Sequence, residues 1–384
     1  MPSVSSLLAA VCDLLAGAGT AYFAISIWAA NRFRAEKRPA ADPKFTPPVS
    51  ILKSLKGLDP YMEAAFRSHC ELDYPEYELL FGVQDLSDPA VPLVEKLRAE
   101  FPQRSLRVIH CPEVLGPNGK VSTLVQMLPQ ARYEQVIISD SDIVVARDYL
   151  TRVLAPFAEA SVGMVTALYR GLPGRTIGSR LEALGLSSDF AGGVLIARAM
   201  EGGIRFGLGA TIATTKSVLR DLGGLEPLAD YLGDDYELGA RAAARGHKIE
   251  LAGTVVETAL PDYSFGQFWR HQMRWARNVK DRRPAQYVGL VVTFALPWAI
   301  IAVLLNPSAW WTWLMLAVAA TTRISAALFV GRKALQDAHV TQDIWLVPLR
   351  DFFALAIWIA SFAGNEVEWR GLRFKLRKGK LEKS

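Results

Sequence analysis

Hydrophobic positions along the chain fall into two patterns. Four long, nearly unbroken apolar runs, at 7–30, 287–305, 310–330 and 345–363, enclose a middle stretch where short apolar segments alternate with segments of helical spacing. Each long run suits a helix crossing roughly 30 Å of hydrocarbon. The first is broken only by Asp13, residues 1–6 hold no Lys or Arg, and the run is too long for the apolar part of a signal peptide. Basic residues follow it at once, which places the N-terminus outside and residue 31 onward in the cytoplasm. Asn306-Pro307-Ser308 reads as a tight turn between the second and third runs, and the fourth contains Arg350 and Asp351. Three further crossings would leave the C-terminal end outside, yet its basic residues belong inside. One C-terminal run is therefore expected to lie in the interface or to re-enter, and the charged pair makes the fourth the first choice.

Between the apolar runs, 48–55, 77–83, 106–110 and 135–139 predict β-strands, and 59–70 and 92–100 predict helices. Strands separated by helices imply an α/β domain with a mostly parallel sheet and right-handed crossovers, with ligands at the carboxyl ends of strands. Asp85 and Asp140 each come just after such a strand. The 384 residues thus divide into an N-terminal transmembrane helix (1–30), a cytoplasmic domain (31–261), an interfacial amphipathic segment (262–285), C-terminal membrane helices (286–364) and a basic cytoplasmic tail (365–384).

Composition narrows the classes. With 51% hydrophobic residues and a net charge of +5 the chain is not disordered. Its three cysteines, none spaced as a metal-ligand pair, exclude a disulfide scaffold and argue against structural zinc. Charge is local: 370–384 carries +6, 31–38 carries +3 and 270–283 carries +5, leaving −9 for the remainder. Basic collars beside apolar runs fit an anionic lipid bilayer better than a nucleic-acid groove, although the orientation rule alone would also produce them.

Three constellations carry candidate chemistry. Ser139-Asp140-Ser141-Asp142 ends an apolar strand in Asp-x-Asp, which either offers oxygens to Mg²⁺ or Mn²⁺ or forms a solvated turn. Gly233-Asp234-Asp235-Tyr236-Glu237 precedes an Ala-rich helix at 238–245 closed by Gly246; an aspartate there is either an N-cap or a proton acceptor. His271-Gln272-Met273-Arg274-Trp275 follows an aromatic stretch, 263–269, and reads either as an interfacial belt or as a phosphate-binding Arg beside an aromatic face. The Gly-rich stretch 191–209 is either a flexible lid or a plain loop.

Taken in order, these motifs resemble the ceramide glucosyltransferase family, glycosyltransferase family 21, especially its bacterial members linked to hopanoid lipids. The segments carrying the resemblance are PVSILKSLKGLDP at 48–60, ELLFGVQDLSDPA at 78–90, GPNGK at 116–120, SDSD at 139–142, YLGDDYELGARAAARG at 231–246, HQMRWAR at 271–277 and EWRGLRF at 368–374. The resemblance implies a GT-A-type nucleotide-sugar-binding domain, a UDP-sugar donor, a divalent cation (Mg or Mn), a membrane lipid acceptor and a bacterial inner-membrane location. It implies that Asp85 and Lys120 lie near the nucleotide, that Asp140 and Asp142 hold the metal, and that Asp235 is the general base. Arg274 and Trp275 match the end of the family's (Gln/Arg)-x-x-Arg-Trp motif, with Asp234, His271 and Gln272 as auxiliary or acceptor candidates. Position 271 is His where animal members have Gln or Arg, and the stretch 187–190 lacks the His that animal members carry before the acceptor region.

The implied reaction is inverting transfer of glucose or N-acetylglucosamine to the hydroxyl of a hopanoid polyol or ceramide. The rivals are a processive polysaccharide synthase, which needs a wider bundle of spans, and a non-catalytic membrane scaffold. The first reading requires Asp85, Asp140 and Asp235, far apart in sequence, to gather with Arg274 around one diphosphate.

Overall fold

The computed structural model describes residues 3–36, 44–369 and 371–383. Lys37 and Arg38 of the first basic collar, and Arg370 of the last, lie outside the described residues.

The alternation in the middle of the chain becomes a mixed, mostly parallel sheet of eight strands. Its strands are β1 (Val49–Ser54), β2 (Tyr77–Val83), β3 (Ser105–His110), β4 (Gln135–Ile138), β5 (Ile143–Val144), β6 (Val162–Leu172), β7 (Ile212–Thr215) and β8 (Lys248–Ala259), in the order β3-β2-β1-β4-β7-β6-β8-β5. β3, β2, β1 and β4 run parallel, with Ile51 opposite both Leu79 and Ile137. β7 runs antiparallel between β4 and β6, β6 is parallel to β8, and β5 is antiparallel to β8. β1 and β2 are buried without alternation because helices cover both faces of the sheet. The four strands expected from the sequence are present, as are helices at Met62–Cys70 and Ala90–Glu100.

The apolar runs form helices at Val4–Ala35, Trp310–Ala334 and His339–Ser361, each long and apolar enough to cross a membrane. The second run is broken into Pro284–Thr293 and Ala295–Leu305, bent by 56°. Ala16, Ala295, Ala299, Ala319 and Ala326 form a seam of small residues with Phe23, which lets the helices approach closely. Asn306 meets Ser6 at one end of this bundle, and Arg34 lies over Phe329 at the other. The fourth run behaves differently. Asp343 pairs with Arg180 of the α/β domain, Phe353 packs 5.2 Å from Phe265 and Lys280 Nζ donates to the Ser361 carbonyl at 2.5 Å, so the helix is tied to the α/β domain and, along most of its length, to the segment 262–285. Trp345, Leu349, Phe352, Ile359 and Phe362 leave it an exposed apolar stripe.

Two segments depart from the sequence reading. The stretch 191–209 is neither lid nor loop at its start, since Ala191–Glu201 is a helix. The basic tail is a folded antiparallel sheet of β9 (Glu366–Trp369), β10 (Leu372–Arg377) and β11 (Lys380–Lys383). Val367, Phe374, Leu376 and Leu381 bury one face of it, with Leu232 packed alongside, and Leu381 N–H donates to the Asp230 carbonyl at 2.7 Å. The alternation of apolar and basic residues here is the period of a strand, which the net charge obscured.

Candidate active site

β4 lies mid-sheet, so the turn 139–142 emerges at the middle of the carboxyl edge. Lys53, near the end of β1, is fully buried under that turn; its Nζ donates to Ser139 Oγ (3.0 Å) and to the Asp140 carbonyl (2.8 Å). Burial draws its pKa down to about 7 against the opposing pull of Asp142 and Asp140. After Asp142 the chain enters β5, whose pairing sets Thr258 opposite Ile143 and lets its hydroxyl donate to Asp142 Oδ2 at 2.6 Å. Burial and then repulsion by Asp140 push the Asp142 carboxyl up to about 6.

Asp234 and Asp235 do not precede the Ala-rich helix; they are its first turn, Asp234–Ala244, behind Gly233 at the N-cap. The N-cap alternative therefore does not hold for Asp235. Burial first, then the neighbouring Asp234, pushes the Asp235 carboxyl up to about 6. Gly246, at φ +84°, ends the helix in a left-handed conformation that suits glycine. Asn118 caps the helix Gly119–Met127 by accepting from Val121 N–H (3.2 Å), and its Nδ2 donates to the Tyr231 carbonyl (2.8 Å) and to Asp234 Oδ1 (3.2 Å). Lys120, in the first turn of that helix, reaches Asp140 Oδ1 at 2.6 Å and Asp234 Oδ2 at 3.4 Å. Burial opposes its charge, but Asp140, Asp234 and Asp235 outweigh it and hold the ammonium above its usual range.

Gly209 marks where the two aspartate segments meet. A Cβ there would stand 3.0 Å from Asp235 Oδ2 and 3.2 Å from Asp140 Oδ2, so any side chain would fill the gap between them. The opposite wall is the helix Phe265–Arg282, started by a capping box between Ser264 and Gln267. His271, Arg274, Trp275, Asn278 and Arg282, at helical spacing, line the cavity, whereas Gln272 does not. His271 Nδ1 lies 3.0 Å from the buried Glu182 Oε1, and its ring stacks on Tyr263 at 5.6 Å. Asp85, at the end of β2, is exposed and accepts from Ser87 N–H at 2.8 Å. It shares the carboxyl edge with Asp140, with β1 between their strands, but does not line the cavity, so the gathering expected from sequence holds for Asp140, Asp235 and Arg274 and not for Asp85.

The cavity encloses about 1110 Å³. From Asp140, Asp142 and Asp235 it runs past Tyr169, Phe190 and Trp275 to Tyr22, Leu290, Phe294 and Ala354 among the apolar helices. Lys53, Asn118, Tyr169 and Glu182 were not picked out from sequence. Lys53 carried a signal as a lone charge in an apolar strand, and Asn118 lay inside the GPNGK segment at 116–120.

Among the described residues, no group of three or more His, Cys, Asp or Glu forms a metal cage. Mg²⁺ and Mn²⁺ do not require one, because they take one or two carboxylates and complete their shell with water and phosphate oxygens. Two crowded carboxylates on one turn, Asp140 and Asp142, fit such a cation.

The model of Glycosyl transferase family 21 matches residues 11–382. A ceramide glucosyltransferase of Komagataella phaffii is 33% identical over 108 residues, 27% of this chain and 21% of that protein. Ceramide glucosyltransferase 1 of Caenorhabditis elegans is 25% identical over 221 residues, 57% of this chain and 47% of its own. The chain thus spans half or less of the curated relatives it matches. Among solved structures, a mannosyltransferase of Pyrobaculum calidifontis in complex with GDP-Man and Mn²⁺ superposes with a TM-score of 0.55 at 19% identity, covering 93% of this chain and 98% of that one, a likeness of fold. The fold is of GT-A type, and the chain belongs to glycosyl transferase family 21.

Proposed function

We propose that the protein is a membrane-bound, inverting glycosyltransferase that moves glucose or N-acetylglucosamine from a UDP-sugar to the hydroxyl of a neutral lipid, a ceramide or a hopanoid polyol. One observation carries the reading: a single cavity has Asp140, Asp142 and Asp235 at one end and apolar helices at the other. A water-soluble donor and a lipid acceptor can meet there.

In this reading the acceptor oxygen bonds to the anomeric carbon as the bond from that carbon to the diphosphate oxygen breaks. UDP leaves, and Asp235 takes the hydroxyl proton. A carboxyl raised to about 6 is a better base than an exposed one, yet is still ionised at neutral pH. Arg274 and Lys120 face the departing negative charge, an electrostatic term of a few kcal/mol. Asp140 and Asp142 would hold Mg²⁺ or Mn²⁺, which would supply charge neutralisation on the diphosphate; the fold neighbour is in complex with GDP-Man and Mn²⁺. Trp275 offers an apolar face to the transferred sugar. Asp85, on the same sheet edge but outside the cavity, would serve the base or ribose of a nucleotide extending beyond it. Glu182 holds the His271 ring in place behind them.

The anchors support a membrane location, the placement of basic residues supports a cytoplasmic active site, and the bacterial cell membrane follows from the sequence resemblance alone. The helix Val4–Ala35, the bent pair and Trp310–Ala334 cross the bilayer, while His339–Ser361 lies in the interface with its apolar stripe toward lipid. That count returns the basic C-terminal sheet to the cytoplasmic side, as the orientation rule asks. The test uses membranes containing the full chain, labelled UDP-sugar and lipid extract. The parent makes one discrete glycolipid and Asp235→Asn does not. Equal transfer by the variant, or a product ladder, defeats the reading.

A further inference from the structure

The C-terminal sheet has no part in the proposed chemistry, yet it touches both walls of the cavity. Lys378 and Gly379, at φ +52° and +79°, make the two-residue hairpin turn between β10 and β11. That turn and β11 run beside the segment that leads into Asp234 and Asp235. Leu232 N–H donates to the Gly379 carbonyl at 3.1 Å, and Tyr231 and Lys380 form an antiparallel bridge. The same sheet holds the helix Phe265–Arg282. Gly379 N–H donates to Asp281 Oδ2 at 2.5 Å, Arg277 Nη1 donates to the Glu366 carbonyl, and Lys280 Nζ donates to the Gly364 carbonyl at 2.9 Å. Leu232 and Trp369 of β9 both line the cavity.

Arg282 stands where the three pieces meet. Its guanidinium lies 5.3 Å from the Tyr231 ring and 5.1 Å from the Tyr236 ring, and its Nη2 is 3.5 Å from Glu237 Oε2. A Cβ on Gly379 would stand 2.5 Å from its Nε. Nε, Nη1 and Nη2 are all buried and make no hydrogen bond, so they are closed to a ligand in the cavity. Arg282 acts instead through the two aromatic rings, as a cation against their π faces. Tyr236 directly follows Asp235 and also stacks on Phe206 at 5.9 Å. Asn118 fastens this segment from the sheet side. The C-terminal sheet and Arg282 fasten it from the side of the helix that carries Arg274.

We propose that the C-terminal sheet and Arg282 form a clasp that fixes the 230–237 segment against the helix of Arg274 and so places the Asp235 carboxylate for proton transfer. Arg282 and Gly379 are positioning residues in this scheme. The proposal rests on the sugar-transfer reading above and adds a part to its machinery. Displacing a reacting group by about 1 Å costs roughly 100-fold in rate, while a donor held by other residues binds as before.

The test uses the purified full chain in phosphatidylcholine vesicles doped with ceramide or bacteriohopanetetrol, with labelled UDP-glucose and UDP-N-acetylglucosamine. Arg282→Gln, and separately Gly379→Ala, which crowds Arg282 and strains the turn without removing a charge, should lower kcat roughly 10–100-fold while the donor KM moves less than about threefold. Arg282→Lys keeps a cation near the rings and should turn over at least about fivefold faster than Arg282→Gln. Amide hydrogen exchange supplies a readout that needs no turnover. Residues 230–237 should exchange at least about tenfold faster in Arg282→Gln and Gly379→Ala, with β4 and the helix Gly119–Met127 unchanged, which also shows that the domain remains folded. A kcat within twofold of the parent in both variants overturns the clasp, as does unchanged exchange at 230–237. A tenfold rise in donor KM for Arg282→Gln with Gly379→Ala silent makes Arg282 a donor ligand and likewise overturns it. A parent that labels neither lipid brings down the sugar-transfer reading instead, and the exchange data then decide the clasp by themselves.

Discussion

The two ends of the cavity bury charge on opposite principles. At the sheet, Asp140, Asp234 and Asp235 crowd around Lys120, with Asp142 and Lys53 alongside, so acid outnumbers base and burial pushes Asp142 and Asp235 up to about 6. Among the apolar helices, Arg323 and Arg350 face Asp189 and Asp351, and the charges cancel. In the proposed reaction, a cation and a proton-donating hydroxyl would relieve the first cluster. The second is balanced in charge, which suits burial among apolar helices. A site for ionic chemistry thus stores its imbalance where donor and solvent can reach it, and a site among lipid-facing helices does not.

Substitution at the strained end should cost activity without costing stability. Asp235→Asn is expected to lower sugar transfer by roughly 10²–10⁴-fold, measured with labelled donor, while the Tm at pH 7.5 holds or rises. The sign follows from the raised pKa. The folded protein binds the Asp235 proton more tightly than the unfolded chain does, so stability declines as pH rises toward about 6. Activity runs the other way: kcat/KM of the parent should climb through about pH 6 and then level off. A fall in Tm for the variant, or a flat profile between pH 5 and 8, would blur the contrast between the two ends.

The balanced end should respond in stability instead. Arg323→Met leaves Asp351 and Asp189 facing each other in an apolar layer and is expected to cost about 3–5 kcal/mol, seen as a lowered Tm in detergent. Adding Asp351→Leu should recover part of that loss, because removing a whole pair costs less than removing half of one. Chelation comes next in size. EDTA should reduce transfer by roughly 100-fold, with recovery on adding Mn²⁺ or Mg²⁺, and should leave the Arg323 network and the Tm little changed. The smallest expected effect is at Thr258→Val, which deletes one hydrogen bond to Asp142. It should raise the Mn²⁺ concentration for half-maximal rate by roughly tenfold, measured by titration of the rate.

Legibility from sequence followed distance along the chain. β1 to β4 could be read because each is a short apolar run closed by polar residues, and an apolar run ending in Asp-x-Asp announces itself locally. The segment carrying His271, Arg274 and Trp275 could be read as amphipathic from its mix of aromatic and basic residues, but its helix, Phe265–Arg282, came from the structure. The basic tail could not, because seven Lys and Arg in 370–384 masked the strand alternation of Phe374, Leu376 and Leu381. Glycines suggested a loop at 191–209, but packing against the N-terminal helix holds Ala191–Glu201 helical. Asp85 and Gln272 show the same limit from the other side: both sit in the expected motifs, and neither lines the cavity.

By itself, the sequence determined the periodicities and the inventory of charges, since helices, strands and apolar spans are set by residues a few positions apart. Only the tertiary structure decided which charges share a space. Gly209 brings Asp140 and Asp235 to one point, and Arg323 reaches back to Asp189 and forward to Asp351. Those meetings depend on sheet order and on the packing of small residues between helices, and desolvation and Coulomb forces act on separation in space, not in sequence.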